Sequence, residues 1–198
     1  MSGSKTRLKR HPKPSSARTI AAPAANEAAT APVAALSNES QLVVPPCTNE
    51  WFELRASPIA GIGAFAKKDI PRRTRMVEYA GEKISNEEAE RRYPDTQDTP
   101  HHTFLFTLNS KWAIDAAVNG NEARFINHSC EPNCEADEVE GRIFIKSLRN
   151  IKAGEELSYD YGLIIDEPYT RKLKAEYPCW CGSKGCRGTL LAPKRGKR

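Results

Sequence analysis

Apolar and polar positions alternate with a period of two in several short stretches, and only one stretch follows the helical period. Residues 74–80 (TRMVEYA) and 103–108 (TFLFTL) carry the β-branched and aromatic side chains that suit a pleated surface, and Asn109-Ser110 can turn the second back into a strand over 111–115. Residues 142–148 and 156–161 read as two further strands joined by a polar turn through Lys152-Ala153-Gly154. The helical stretch is 86–92: Ser85 with Glu88 makes a capping box before it, and Pro94 stops it. Many short strands and little helix predict a mostly β (α+β) domain of several small sheets. Residues 1–46 hold Ala, Pro, Ser and Asn without an aromatic residue or a packing period, and read as a disordered tail.

Length and composition fit that division. A chain of 198 residues, 39% hydrophobic and 28% charged, can bury one core of ordinary size. Its formal charge of +5 is unevenly placed, since Lys5, Arg7, Lys9, Arg10, Lys13 and Arg18 precede Thr19, and Lys194, Arg195, Lys197 and Arg198 close the chain. Taking these ten positive charges from +5 leaves residues 19–193 at −5. An acidic body favours a cationic peptide partner, while basic ends suit nucleic acid or simply maintain solubility. Pro23, Asn26 and Glu27 interrupt the alanine-rich stretch where a secretory signal needs an apolar core, whereas the lack of acids before Glu27 leaves a transit peptide open. No run approaches a membrane span, so the expectation is a soluble intracellular protein. Six cysteines in such a chain point to metal or spare thiols rather than disulfides.

Three stretches carry chemistry. Cys179, Cys181 and Cys186 follow C-x-C-x4-C, a spacing that suits thiolates around one zinc and leaves a fourth ligand to be found. Tyr159 and Tyr161 alternate along a strand and share a face, as core aromatics do, but also as the walls of a channel would. Arg124-Phe125-Ile126-Asn127-His128-Ser129-Cys130-Glu131-Pro132-Asn133 sets polar groups inside an apolar frame, which is costly to bury unless a ligand satisfies them. Read locally, Asn127 and His128 cap a turn, and Gly61-Ile62-Gly63 is a hairpin or bulge.

With Gly61-Ile62-Gly63-Ala64-Phe65, Glu78-Tyr79-Ala80-Gly81-Glu82 and Ile114-Asp115-Ala116, these stretches form an ordered set from about Trp51 to Leu191 that strongly resembles the SET-domain protein-lysine methyltransferases. The resemblance implies a compact β fold in which the segment holding Tyr159 and Tyr161 is threaded, pseudoknot-like, under a loop beside Asn127-His128. It implies S-adenosylmethionine as methyl donor, met by Gly61, Ile62, Gly63, Phe104, Arg124, Asn127, His128, Tyr161 and Leu190, with Arg124 chiefly holding the loop in place. Tyr161 is then the essential tyrosine, Tyr159 the residue limiting how many methyl groups fit, and Tyr79 a further channel wall. Cys130 becomes the fourth ligand of a structural Zn2+, with Cys134 as its rival, and Cys47 and Cys134 are otherwise packing residues.

The chemistry agrees with such a channel, because a lysine amine of pKa about 10.4 must lose a proton before it attacks, and both desolvation and a neighbouring sulfonium charge favour that loss. The implied organisation is a SET domain at 47–164, a post-SET zinc segment at 165–191 and a basic tail at 192–198. Only Cys47 precedes Trp51, so the expectation is a minimal form without a preceding cysteine cluster, and the short insert between Gly81 and His102 gives no readable specificity. The expected partner is a basic protein or peptide, histone-like as first choice, met by a monomer with no membrane attachment and with nucleic-acid contact through the tails. The location is the nucleus or chromosome if eukaryotic and the cytoplasm if bacterial. The rivals are a methyltransferase for a non-chromatin protein and a catalytically silent module that binds basic peptide or nucleic acid.

Overall fold

The structure is a computed structural model that describes residues 42–94, 104–165 and 167–193. In chain order its elements are β1 (Phe52–Ala56), β2 (Ile62–Ala66), β3 (Arg75–Glu78), β4 (Glu82–Ser85), α1 (Asn86–Arg92), β5 (Leu105–Thr107) and β6 (Trp112–Asp115). A 3-10 turn (Glu122–Phe125) then leads into β7 (Asn127–His128), β8 (Cys134–Val139), β9 (Arg142–Ser147), β10 (Ser158–Tyr159) and α2 (Arg171–Glu176). They form a β1-β2 hairpin, a three-stranded sheet in the order β4-β6-β5 and a five-stranded sheet in the order β3-β9-β8-β10-β7. The expected mostly β fold of small sheets is what the chain adopts.

Alternation makes the core. Along β9, Ile143, Ile145 and Ser147 turn inward while Arg142, Phe144 and Lys146 stay partly exposed. Ile145 packs with Phe52, Ile70, Ile126, Ile151 and Leu157 in the main core, which also contains Tyr79, Tyr159 and Tyr161. A smaller cluster of Ile84, Ala89, Leu105 and Ala113 sits under α1, and Leu163, Leu173, Tyr177 and Leu191 pack the C-terminal segment against the body. Cys134 is fully buried in the main core, and Cys47 packs against it.

The predicted strands are present but trimmed. The 103–108 stretch gives β5 from Leu105, with residue 103 outside the described region, and 156–161 shortens to Ser158–Tyr159. That last strand does not pair with β9, as a simple hairpin would require. Instead β10 enters between β7 and β8 and runs parallel to both, with Tyr159 opposite His128 and Cys134. The later strand thus lies between two earlier ones, and the 129–133 connection spans it: this is the threaded arrangement.

Helix α1 has the expected bounds, yet only half of the capping box forms. Ser85 Oγ accepts from Glu88 N at 3.1 Å, but the Glu88 carboxylate is taken by Arg91 and Arg92 at 2.7 and 2.8 Å. Arg92 also reaches Glu82 at 2.7 Å and the fully buried Asp115 at 3.0 Å, so α1 is pinned to β4 and β6 through a buried carboxylate. None of the described helices is long and apolar enough to cross a membrane.

Candidate active site and metal centre

Asn127 is where the hairpin turn and the inserted strand meet. The β1-β2 turn closes through Ser57 N to Gly61 O at 2.8 Å, with Gly61 in the left-handed region at φ +47°. The Asn127 amide faces Ser57 Oγ at 3.1 Å, the carbonyls of Ala60 and Ile62 at 3.2 Å each, and Glu156 Oε1 at 2.8 Å. One NH2 group has two hydrogens, so acceptor capacity remains for another donor. A Cβ on Gly63 would stand 2.3 Å from Glu156 Oε1, so this position accepts only glycine while the carboxylate stays in place. Sequence reasoning missed Ser57 and Glu156. Nothing local marks them, since Ser57 Oγ donates to Glu156 Oε1 at 2.7 Å across 99 positions of chain.

The tyrosines gather on the other side of β7. Tyr159 and Tyr161 have ring centroids 4.9 Å apart, Phe106 stacks 6.4 Å from Tyr159, and Tyr79 lies 5.4 Å from Phe106. Tyr161 OH donates to Ile126 O at 3.1 Å and Tyr79 OH to Phe104 O at 3.0 Å. Burial drives all three phenols well above the ordinary value of 10.0, so their hydroxyls stay protonated and act as hydrogen-bond donors rather than bases. His128 is fixed beside them: its Nδ1 accepts from Tyr161 N at 3.2 Å, which leaves the proton on Nε2, 3.4 Å from Cys130 Sγ. Desolvation pulls its pKa down to about 4, against the opposing pull of Asp160, so the ring is neutral at pH 7.

Arg124 holds rather than reaches. Its Nη1 donates to Ala116 O at 3.0 Å, and its guanidinium lies over the Phe104 and Phe125 rings at 5.2 and 4.8 Å. Its Nε is buried without a partner among the described residues. Leu190 packs against both the main core and the C-terminal cluster, and so links them.

Cys130, Cys179, Cys181 and Cys186 present sulfurs that all lie within 4.8 Å of one another. Cys130 and Cys179 are 3.7 Å apart, close to the about 3.8 Å edge of a tetrahedron with Zn–S bonds of about 2.3 Å. The donor set is compatible with zinc. Donors surround the sulfurs: Arg187 N points at Cys130 Sγ and Gly188 N at Cys186 Sγ, each at 3.4 Å, and Ser183 Oγ is 3.2 Å from Cys181 Sγ. Burial raises the Cys179 and Cys130 thiols. Burial also opposes ionisation of Cys181, but hydrogen bonds from the Cys130 and Ser183 neighbourhoods outweigh it and bring that thiol down to about 6. Cys134 stands apart on β8 with its thiol on Asn133 Oδ1 at 3.3 Å, so the nearer rival in sequence is not in the cluster.

The sequence over this region matches known proteins. A family model described as SET domain matches residues 61–162, more than half of the 198 residues. Similar proteins include Histone-lysine N-methyltransferase 2D of Homo sapiens, 40% identical over 145 residues, covering 70% of this chain and 2% of that protein. Histone-lysine N-methyltransferase trr of Drosophila melanogaster is 39% identical over 145 residues, covering 70% of this chain and 6% of that protein. Histone-lysine N-methyltransferase, H3 lysine-4 specific, of Emericella nidulans is 40% identical over 143 residues, covering 68% of this chain and 11% of that protein. The chain therefore spans a small part of the length of these curated relatives. It belongs to the SET-domain family.

Proposed function

We propose that the protein transfers a methyl group from S-adenosylmethionine to a lysine side chain of a basic protein tail, with a histone as substrate and chromatin as its place of action. The observation that carries this reading is the aromatic cluster of Tyr79, Phe106, Tyr159 and Tyr161 set against Asn127 and His128. A silent binding module has no need of this combination. The names of the similar proteins supply the histone, and the −5 charge of residues 19–193 suits a cationic tail.

When bound, S-adenosylmethionine supplies an electrophilic methyl group on a sulfonium sulfur. Acceptor capacity left over around the Asn127 amide suits its ammonium end, and the backbone near Gly61, Ile62 and Gly63, together with Phe104, Arg124, His128 and Leu190, completes the group of residues assigned to it. The tyrosines exclude water and orient the amine. Because their hydroxyls hold their protons, the lysine has to arrive neutral, and an apolar channel favours that form. Tyr161 anchors the channel through Ile126 O, Tyr79 through Phe104 O, and Tyr159 sets how much room a methylated amine finds. Zinc on Cys130, Cys179, Cys181 and Cys186 would tie segment 165–191 to the Asn127-His128 loop of domain 47–164.

Incubating the full chain with radiolabelled S-adenosylmethionine and histone octamer, beside a whole-cell extract, tests the reading. Label on a histone lysine supports it, label on a non-chromatin protein alone replaces the substrate, and no protein label at all removes the activity.

A further inference from the structure

We infer that Arg187 is a positioning residue that makes the tyrosine pair depend on the cysteine centre, with Asp160 as its receptor; the catalytic part of this inference rests on the methyltransferase reading above. Arg187 follows Cys186 directly and makes two kinds of contact. Its backbone N–H points at Cys130 Sγ at 3.4 Å, and its guanidinium grips Asp160 through two parallel bonds, Nη1 to Oδ2 at 2.8 Å and Nη2 to Oδ1 at 2.9 Å. This planar two-bond pairing is open to arginine and not to lysine.

Asp160 stands between Tyr159 and Tyr161. Its Oδ1 also accepts from Gly162 N at 3.0 Å, and Gly162 sits at φ +60°, so the same carboxylate shapes the turn on which the tyrosine segment ends. From the β7 side the segment is held by Ser129 N to Tyr159 O at 3.2 Å and Tyr161 N to His128 Nδ1 at 3.2 Å. From the C-terminal side it is held by Arg187. The pair is sheltered, with the Arg187 side chain 21% and Asp160 33% exposed, which lifts it above the negligible worth of a fully solvated ion pair. Assembly of the cysteine centre fixes the backbone of Arg187, and Arg187 passes that order to the residues beside the reacting amine.

The test uses the zinc-loaded 198-residue chain with Arg187→Lys at one end of the contact and Asp160→Asn at the other. Asparagine keeps an oxygen for Gly162 N but puts an NH2 group, which cannot accept from Arg187 Nη1, in place of the second carboxylate oxygen, so the turn survives while the two-bond grip does not. Because misplacing a reacting group by about 1 Å costs on the order of 10²-fold in rate, each variant is expected to lower kcat at least ~10-fold. KM for a peptide substrate is expected to stay within ~2-fold. Zinc content should remain that of the parent, a chelating dye should strip the metal faster from both variants, and the double variant should lose no more than either single one. Near-parental kcat in both variants overturns the inference, and so does a loss of turnover that tracks loss of zinc. If the unmodified protein methylates nothing, the reading of the site fails, and the clamp is judged by zinc release alone: equal stripping rates in the parent and both variants overturn it.

Discussion

The two tyrosines of the site differ in one respect that a pair of single-atom deletions can expose. Tyr161 OH donates to the carbonyl of Ile126, a residue 1% exposed, whereas no group among the described residues hydrogen-bonds the Tyr159 hydroxyl. Tyr161→Phe therefore strands a buried carbonyl and should cost about 1–3 kcal/mol of folding stability, while Tyr159→Phe strands nothing and should cost less than about 0.5 kcal/mol. With a urea slope of about 1–3 kcal/mol per molar, the first moves the unfolding midpoint down by on the order of 1 M and the second barely moves it. Activity should divide in another way. Tyr161→Phe removes the hydroxyl whose oxygen, with its proton on Ile126 O, is left to orient the reacting amine, and should lower kcat by at least ~10²-fold. Tyr159→Phe should preserve the first methyl transfer but change the product, because a free hydroxyl can hold a water in the space that a methylated amine needs in order to turn its lone pair toward the donor. The unmodified enzyme is expected to make mainly monomethyl-lysine and Tyr159→Phe to add dimethyl and trimethyl product, read by mass spectrometry of a peptide substrate. Equal destabilisation by the two variants, or an unchanged product distribution for Tyr159→Phe, refutes the reasoning.

Elemental analysis of the pure protein should find one zinc per chain, lost in Cys130→Ser and kept in Cys134→Ser; metal retained by Cys130→Ser would break the four-sulfur assignment. Asp115→Ala removes a fully buried carboxylate from Arg92, Tyr93 and Ala117 N and should cost about 3 kcal/mol by thermal or urea unfolding, a result that a loss under 1 kcal/mol would contradict. Stability should also fall in alkali. The folded pKa values of Tyr79, Tyr159 and Tyr161 are raised above the unfolded 10.0, so their contribution is whole below pH 10 and is lost as pH rises toward the folded values. The limiting slope is about 1.4 kcal/mol per pH unit for each phenol, and urea midpoints at pH 9, 10 and 11 that do not decline would show these rings to be less buried than described.

What the sequence made legible was local. The helix at 86–92 could be read from its cap and its proline, and the three C-terminal cysteines from their spacing. The turn at Gly61 was readable as a hairpin before any cofactor was considered. Spacing could not choose between Cys130 and Cys134, four residues apart; only the start of β8 decides, by turning Cys134 into the core. The partners of 156–161 were hidden for a similar reason. Hydrophobic alternation marks a strand but says nothing of its neighbours, and here the neighbours are two short strands whose connection spans it. Asp160 and Arg187 carried no signal at all, since each reads as an ordinary charged loop residue and 27 positions separate them.

These distant pairings have a physical consequence for how the site forms. Asn127, Glu156 and Ser57 meet across separations of 29, 70 and 99 residues, and the cysteine centre closes another of 49 between Cys130 and Cys179. None of these contacts gains from local propensity, and each requires the loop entropy between its ends to be overcome before it stabilises anything. The hairpin and the β8-β9 pair, joined by tight turns, are the elements that can form first. Insertion of β10 has to wait for β7 and β8 to define its slot. The C-terminal segment has only the small cluster of Leu163, Leu173, Tyr177 and Leu191, so the sulfur centre and the Arg187 contact are expected to contribute to ordering it. Under the proposed function, a metal held by the four sulfurs would order segment 165–191 against the tyrosine cluster, and activity would then depend on that segment as well as on the sheets.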